Sequence, residues 1–178
     1  MAKVVCIVGS PSAPSRTALV AARVVGRLSR AGSSVETIVV RDLPAEDLLR
    51  GRADTPGMAA AVAAIAAAEG IVVATPIYKA SFSGILKAFL DVLPQFAFRD
   101  KAVLPLATGG GTAHILAMDY GLRPVLMSLD AGHVEASYVV LEAGVRKLES
   151  GALELEADTA AKLDEIADRF ARFLARPA

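Results

Sequence analysis

The chain has a single cysteine, Cys6, no tryptophan and no excess of charge of either sign. One cysteine excludes an internal disulfide, and no Cys/His spacing of a zinc or iron–sulfur site is present. Lys plus Arg and Asp plus Glu number 19 each, so no net field favours nucleic acid, an anionic membrane or a cationic partner. A long hydrophobic run is also missing. Hydrophobic residues are 54% of the chain, but alanine supplies much of that, and no stretch reaches the roughly 18 to 20 uninterrupted apolar residues of a membrane span. The aliphatic run Val4 to Val8 begins almost at once and leaves no room for a signal peptide, so a cytoplasmic location is expected. At 178 residues, a single domain over 1–178 is expected, since two would be undersized. Cys6 lies mid-run and reads as a buried packing residue.

Aliphatic runs bounded by Gly, Pro, Asp or polar residues predict strands at Val4 to Val8, Ser34 to Val40, Gly70 to Ala74, Ala102 to Ala107 and His133 to Leu141. Pro76 is expected to stop the third. Helical periodicity falls between them, at Arg16 to Ala31, Pro56 to Glu69, Phe82 to Leu93 and Ala113 to Leu129, with a last helix from Asp158 to Leu174. Ser81 or Ser83 is available to cap the third helix. This alternation predicts an α/β three-layer sandwich with a five-stranded parallel sheet, and right-handed crossovers favour the flavodoxin-like order 2-1-3-4-5. Its switch point lies between strands one and three, and ligands of such sheets bind beyond the carboxyl ends of the strands.

The loops after strands one, three and four open onto that crevice. The first is Gly9-Ser10-Pro11-Ser12-Ala13-Pro14-Ser15-Arg16-Thr17. It leads into a helix whose free N–H groups and dipole favour an anion, and Ser10, Ser15, Thr17 and Arg16 add donors suited to a phosphate. The alternative is an ordinary Ser-capped helix. Neither the Walker A pattern nor Gly-x-Gly-x-x-Gly is present, which argues against nucleotide hydrolysis and a Rossmann dinucleotide site. The second loop runs from Thr75 to Ser81. The third, Thr108-Gly109-Gly110-Gly111-Thr112, would permit positive φ and close approach of backbone to a planar ligand, although alone it is weak evidence. Together they describe a crevice with a phosphate end and a flat end, the shape required by a mononucleotide such as FMN.

Gly9-Ser10-Pro11 with Ser15-Arg16-Thr17, Ala74 through Gly84 with Lys87, and Pro105 through Gly110 resemble the NAD(P)H-dependent FMN reductase family, closest to the branch that supplies reduced FMN to alkanesulfonate monooxygenases. The resemblance covers Val4 to about Leu129. It implies that Ser10, Ser15, Arg16 and Thr17 hold the FMN phosphate, that Pro76, Ile77, Tyr78, Lys79 and Ser81 line the ribityl chain and isoalloxazine, and that Thr108, Gly109, Gly110 and Gly111 flank the other edge of the ring. It also implies hydride transfer from NADPH or NADH to flavin N5, a flavin-dependent monooxygenase as partner and a homo-oligomer, dimer or tetramer. Part of the apolar face of Phe82, Ile85, Phe89 and Leu90 would then build a subunit interface. Many members carry Arg where this chain has Ser12, and loss of that charge would weaken the phosphate grip.

The fourth helix contains Pro124, whose ring would clash with the carbonyl of Tyr120, and Gly121 loosens the same turn. A π-bulge or kink at Tyr120 is expected. The resemblance implies that Tyr120 stacks near FMN across a subunit interface; the alternative is a kinked surface helix with a half-buried tyrosine. His114 and His133 read as structural residues, and Lys79 and Lys87 as solvated lysines or contacts to a nicotinamide-cofactor phosphate. No acid–base pair or nucleophilic triad is legible, as expected where cofactors carry the chemistry. A flavodoxin-type electron carrier and a flavin-retaining quinone, azo or metal-ion reductase are the rival readings. The neutral charge and absent tryptophan weigh against the carrier.

Overall fold

The computed structural model describes residues 1–176. Strands β1 (Lys3–Val8), β2 (Ser34–Val39), β3 (Gly70–Tyr78), β5 (Ala102–Gly109), β6 (His133–Val134) and β7 (Tyr138–Leu141) are joined in parallel, in the order β2-β1-β3-β5-β6, with β7 continuing along β5 beyond β6. A two-residue strand, β4 (Ser81–Phe82), folds back on β3 as a hairpin. Counted by position in the sheet, this is the expected five-stranded 2-1-3-4-5 arrangement. The apolar runs are continuous because both sheet faces are covered. Val5, Ile7, Ile71, Val73 and Val103 point to one core and Val4, Cys6, Val8, Val72 and Leu104 to the other. Burial pushes the Cys6 thiol up to about 12, so it stays protonated and inert.

Helices α1 (Arg16–Arg30) and α6 (Ala157–Leu174) cover one face. Thr17, Val20, Ala21, Val24 and Leu28 form the buried stripe of α1, and Leu163, Ile166, Ala167 and Phe170 that of α6. Two bidentate pairs lock the helices side by side, Arg23 to Asp164 at 2.7 and 2.6 Å and Arg27 to Asp168 at 2.7 Å. The hydrogen-bonded Arg27 guanidinium holds the Asp168 carboxyl below the usual carboxylate range. The other face carries α3 (Pro56–Ala67), α4 (Gly84–Val92), a π-helix (Ala117–Leu122) and α5 (Arg123–Ser128). The short α2 (Ala45–Arg50) lies in the charged segment after β2.

The prolines account for two departures from the sequence-based expectation. β3 runs through Pro76 to Tyr78. Ala74 accepts from Gly9 N–H on the β1 side, so Pro76, two residues on, faces the same side after β1 has ended. No ladder bond is lost there. The strand expected over His133 to Leu141 is instead split. Val103 accepts from Glu135 N–H on that side, so Pro105 also faces it and offers no N–H to residues 135–137, where the pairing breaks. Phe89 and Leu90 are buried in the core of this chain, leaving Phe82 and Ile85 half-buried; an interface face on α4 cannot use the first two.

The expected irregularity at Tyr120 is present as the π-helix, which closes with Arg123 N–H bonded to the Met118 carbonyl five residues back. After α5 the chain builds a small antiparallel hairpin, β8 (Val145–Lys147) with β9 (Leu153–Leu155), not anticipated from the sequence.

Candidate active site

The carboxyl ends of β1, β3 and β5 meet around a cleft of about 250 Å³. The first loop contributes Ser10, Ser15, Arg16 and Thr17, the second Pro76, Ile77 and Tyr78, the third Thr108, Gly109 and Gly110. Ser12, Pro14, Glu142, Lys147 and Leu153 complete the lining. Lys79, Ser81 and Gly111 fall outside it. Lys79 and Ala80 form the tip of the β3–β4 hairpin with φ of 48° and 60°, the twist a two-residue turn demands and one that L-residues adopt at a cost. Ser81 pairs with Tyr78 in that hairpin.

The three loops are tied together by buried hydroxyls. Ser83, the actual cap of α4, accepts from Leu86 N–H at 3.3 Å and donates to the Gly9 carbonyl. The Thr75 hydroxyl accepts from Ser83 N–H and donates to the Pro76 carbonyl, both at 3.0 Å. Thr17 and Thr108 share a hydrogen bond of 2.7 Å between the first and third loops. The Arg41 guanidinium, from the end of β2, donates to the Ser12 carbonyl. The Arg41 bond is exposed, but the hydroxyl bonds hold their partners firmly because breaking any of them strands a buried polar group.

The first loop is built for an anion. Ser15 caps α1 by accepting from Ala18 N–H at 3.1 Å, leaving the N–H groups of Arg16 and Thr17 uncommitted among the described residues. Ser10 is only 2% exposed, and its one hydrogen bond is a long one from Ser12 N–H at 3.4 Å. Its own proton therefore has no acceptor among the described residues. A buried hydroxyl with a free proton, two helix-terminal N–H groups and the Arg16 guanidinium fit a phosphate monoester.

Gly9 and Gly109 serve packing, whereas Gly110 and Gly111 have open space where a Cβ would lie. A Cβ on Gly9 would lie 2.6 Å from Leu86 Cβ, and one on Gly109 would lie 2.3 Å from His114 Nδ1. None of Gly109, Gly110 and Gly111 has a positive φ, so the expected conformational role of the triple glycine is not the one observed. His114 packs against Gly109, and its Nδ1 has no hydrogen-bond partner among the described residues. His133 stacks on Phe173, at 4.2 Å between ring centroids, remote from the cleft. Lys87 is paired to Asp91 on α4. Tyr120 is 81% exposed, and the neighbouring Leu116 and Met127 are also exposed.

Sequence reasoning did not single out Glu142, Lys147 and Leu153. Alternating polar and apolar residues around Gly151 were the available signal for their hairpin.

A parallel sheet of this order, with its cleft at the carboxyl ends of the strands, defines a flavodoxin-like protein. Within that class, residues 2–145 match the family model for NADPH-dependent FMN reductase, and the chain belongs to that family. It is 52% identical over 128 residues to an FMN reductase (NADPH) of Pseudomonas putida, a match covering 72% of this chain and 65% of the relative, just under two thirds of its length. An FMN reductase (NADPH) of Escherichia coli is 42% identical over 74% of this chain and 69% of its own. The crystal structure of an NADH:FMN oxidoreductase in its apo form superposes with a TM-score of 0.87 at 45% identity, covering 99% of this chain and 92% of the other.

Proposed function

We propose that this chain is an NAD(P)H:FMN oxidoreductase. The observation that carries the reading is the phosphate-suited loop after β1, with the Ser10 proton free, in a chain of the NADPH-dependent FMN reductase family. The Ser10 hydroxyl, the N–H groups of Arg16 and Thr17 and the Arg16 guanidinium hold the 5′-phosphate, with Ser15 fixing the helix start. Pro76, Ile77 and Tyr78 form one wall for the ribityl chain and ring, and Thr108, Gly109 and Gly110 the other. The rigid hydroxyl network keeps these walls at fixed spacing, so binding orders little of the protein. When bound, FMN supplies the chemistry, accepting hydride at N5 from NADPH or NADH. The side chains bind, orient and exclude water, and none needs to exchange a proton with substrate.

Likeness to the alkanesulfonate branch supports a role in delivering reduced FMN to a flavin-dependent monooxygenase in sulfonate-sulfur metabolism, in the cytoplasm. Residues 1–178 would act as one domain. The exposed apolar residues Leu116, Tyr120 and Met127 along the π-helix and α5 support association into a dimer or tetramer through that face, with Tyr120 near the flavin of a neighbouring subunit.

Steady-state oxidation of NADPH and NADH by the purified protein, with and without added free FMN, tests the activity. Sustained turnover only with added FMN is expected. Tightly copurifying flavin, with turnover that needs a quinone or azo dye, would instead identify a flavin-retaining reductase.

A further inference from the structure

The hairpin β8–β9 reaches the same cleft from the far end of the chain, and most of it lies past Val145, where the family match stops. Its two faces differ. Arg146 and Glu154 are opposite each other and joined as an ion pair, with Glu156 also 3.6 Å from Arg146. Arg146 is thereby committed to carboxylates on a face that is net negative. Lys147 and Leu153 are the next opposed pair, so they share the other face, and both line the cleft. Leu153 and Leu155 pack against the core beneath α1 and α6. The base is fixed by Glu156 N–H to the Gly144 carbonyl at 3.0 Å and the turn by Leu148 N–H to the Ala152 carbonyl at 2.8 Å. Lys147 is thus carried on an anchored element and has no carboxylate partner among the described residues.

The other cation of the cleft, Arg16, is not free in the same way. Glu142, itself in the lining, lies 3.8 Å from it. A phosphate monoester brings a charge of about −1.5 to −2 at neutral pH and competes with Glu142 for Arg16. One shared guanidinium compensates that charge poorly. Resting on the reading of the cleft as an FMN site, we propose that Lys147 is a second cation for the flavin 5′-phosphate, and that Glu142 sets the affinity by competing for Arg16. The hairpin is therefore a binding element that selects the phosphorylated flavin over riboflavin.

Dissociation constants of FMN and riboflavin, measured by flavin fluorescence at low and moderate salt, test this on wild type, Lys147→Ala, Lys147→Arg and Glu142→Gln. Both positions are exposed, so the variants should fold. Lys147→Ala should weaken FMN about five- to tenfold, flatten its salt dependence and change riboflavin by less than about twofold. Lys147→Arg should stay close to wild type. Glu142→Gln should tighten FMN by about two- to fivefold. Equal losses for both flavins would show that Lys147 merely packs, and unchanged FMN binding would remove it from the site; either overturns the proposal. With steady-state KM values for NADPH and NADH measured alongside, a Lys147→Ala loss confined to NADPH would also overturn it, assigning Lys147 to the nicotinamide nucleotide's 2′-phosphate. Wild type that binds FMN no better than riboflavin would instead bring down the cleft reading itself, and this proposal with it.

Discussion

The loops after β1 and β5 form facing walls of one cleft, and in sequence both look like ligand loops, one by its hydroxyls and the other by its glycines. In the structure the hydroxyls and glycines part company. Ser10 and the helix start at Arg16 and Thr17 leave donors uncommitted toward the cleft, whereas Gly9 and Gly109 are small because Leu86 and His114 occupy the space a Cβ would need. Glycine in such a loop need not mean approach to a ligand. Here it lets α4 and the segment after β5 pack tightly enough to bring the hydroxyls into position.

The contrast can be broken by substitution. Gly9→Ala should have the largest effect, a loss of about 3 kcal/mol in chemical denaturation, because Leu86 Cβ is fixed to its helix and cannot swing aside. Gly109→Ala meets a ring that can turn, so about 1–2 kcal/mol is expected. Adding His114→Ala should recover most of that loss, and no recovery would show that the glycine answers to something other than His114. Ser83→Ala strands the Leu86 N–H and Gly9 carbonyl at a buried position and should cost about 2 kcal/mol. Ser15→Ala, at a partly buried helix start, should cost about 1 kcal/mol in the same assay. Gly110→Ala adds a methyl in open space and should stay within about 0.5 kcal/mol of wild type.

Local chemistry was legible in the sequence. The Ser83 cap, one of two serines allowed there, the π-helix forced by Pro124 and Gly121, the buried Cys6 and the alternation that orders the sheet all depend on residues a few positions apart or on a repeating pattern. Most of the candidate site was legible for the same reason, since its loops directly follow strands. What could not be read depends on distant partners. Whether Pro76 ends β3 is decided by where β1 stops, and the break between β6 and β7 by which side of β5 Pro105 faces. Gly9 and Gly109 look permissive until Leu86 and His114 are placed. Lys147 and Glu142 come to Arg16 from more than 120 residues away, and no local pattern states the register that puts Lys147 on the cleft side of its hairpin.

The most direct measurement is the affinity of wild type and Ser10→Ala for FMN and riboflavin. Wild type is expected to prefer FMN by about tenfold or more, and Ser10→Ala to give up much of that preference while holding riboflavin nearly unchanged. Equal affinity of wild type for the two flavins, or a preference untouched by Ser10→Ala, would contradict the assignment of the first loop to the phosphate.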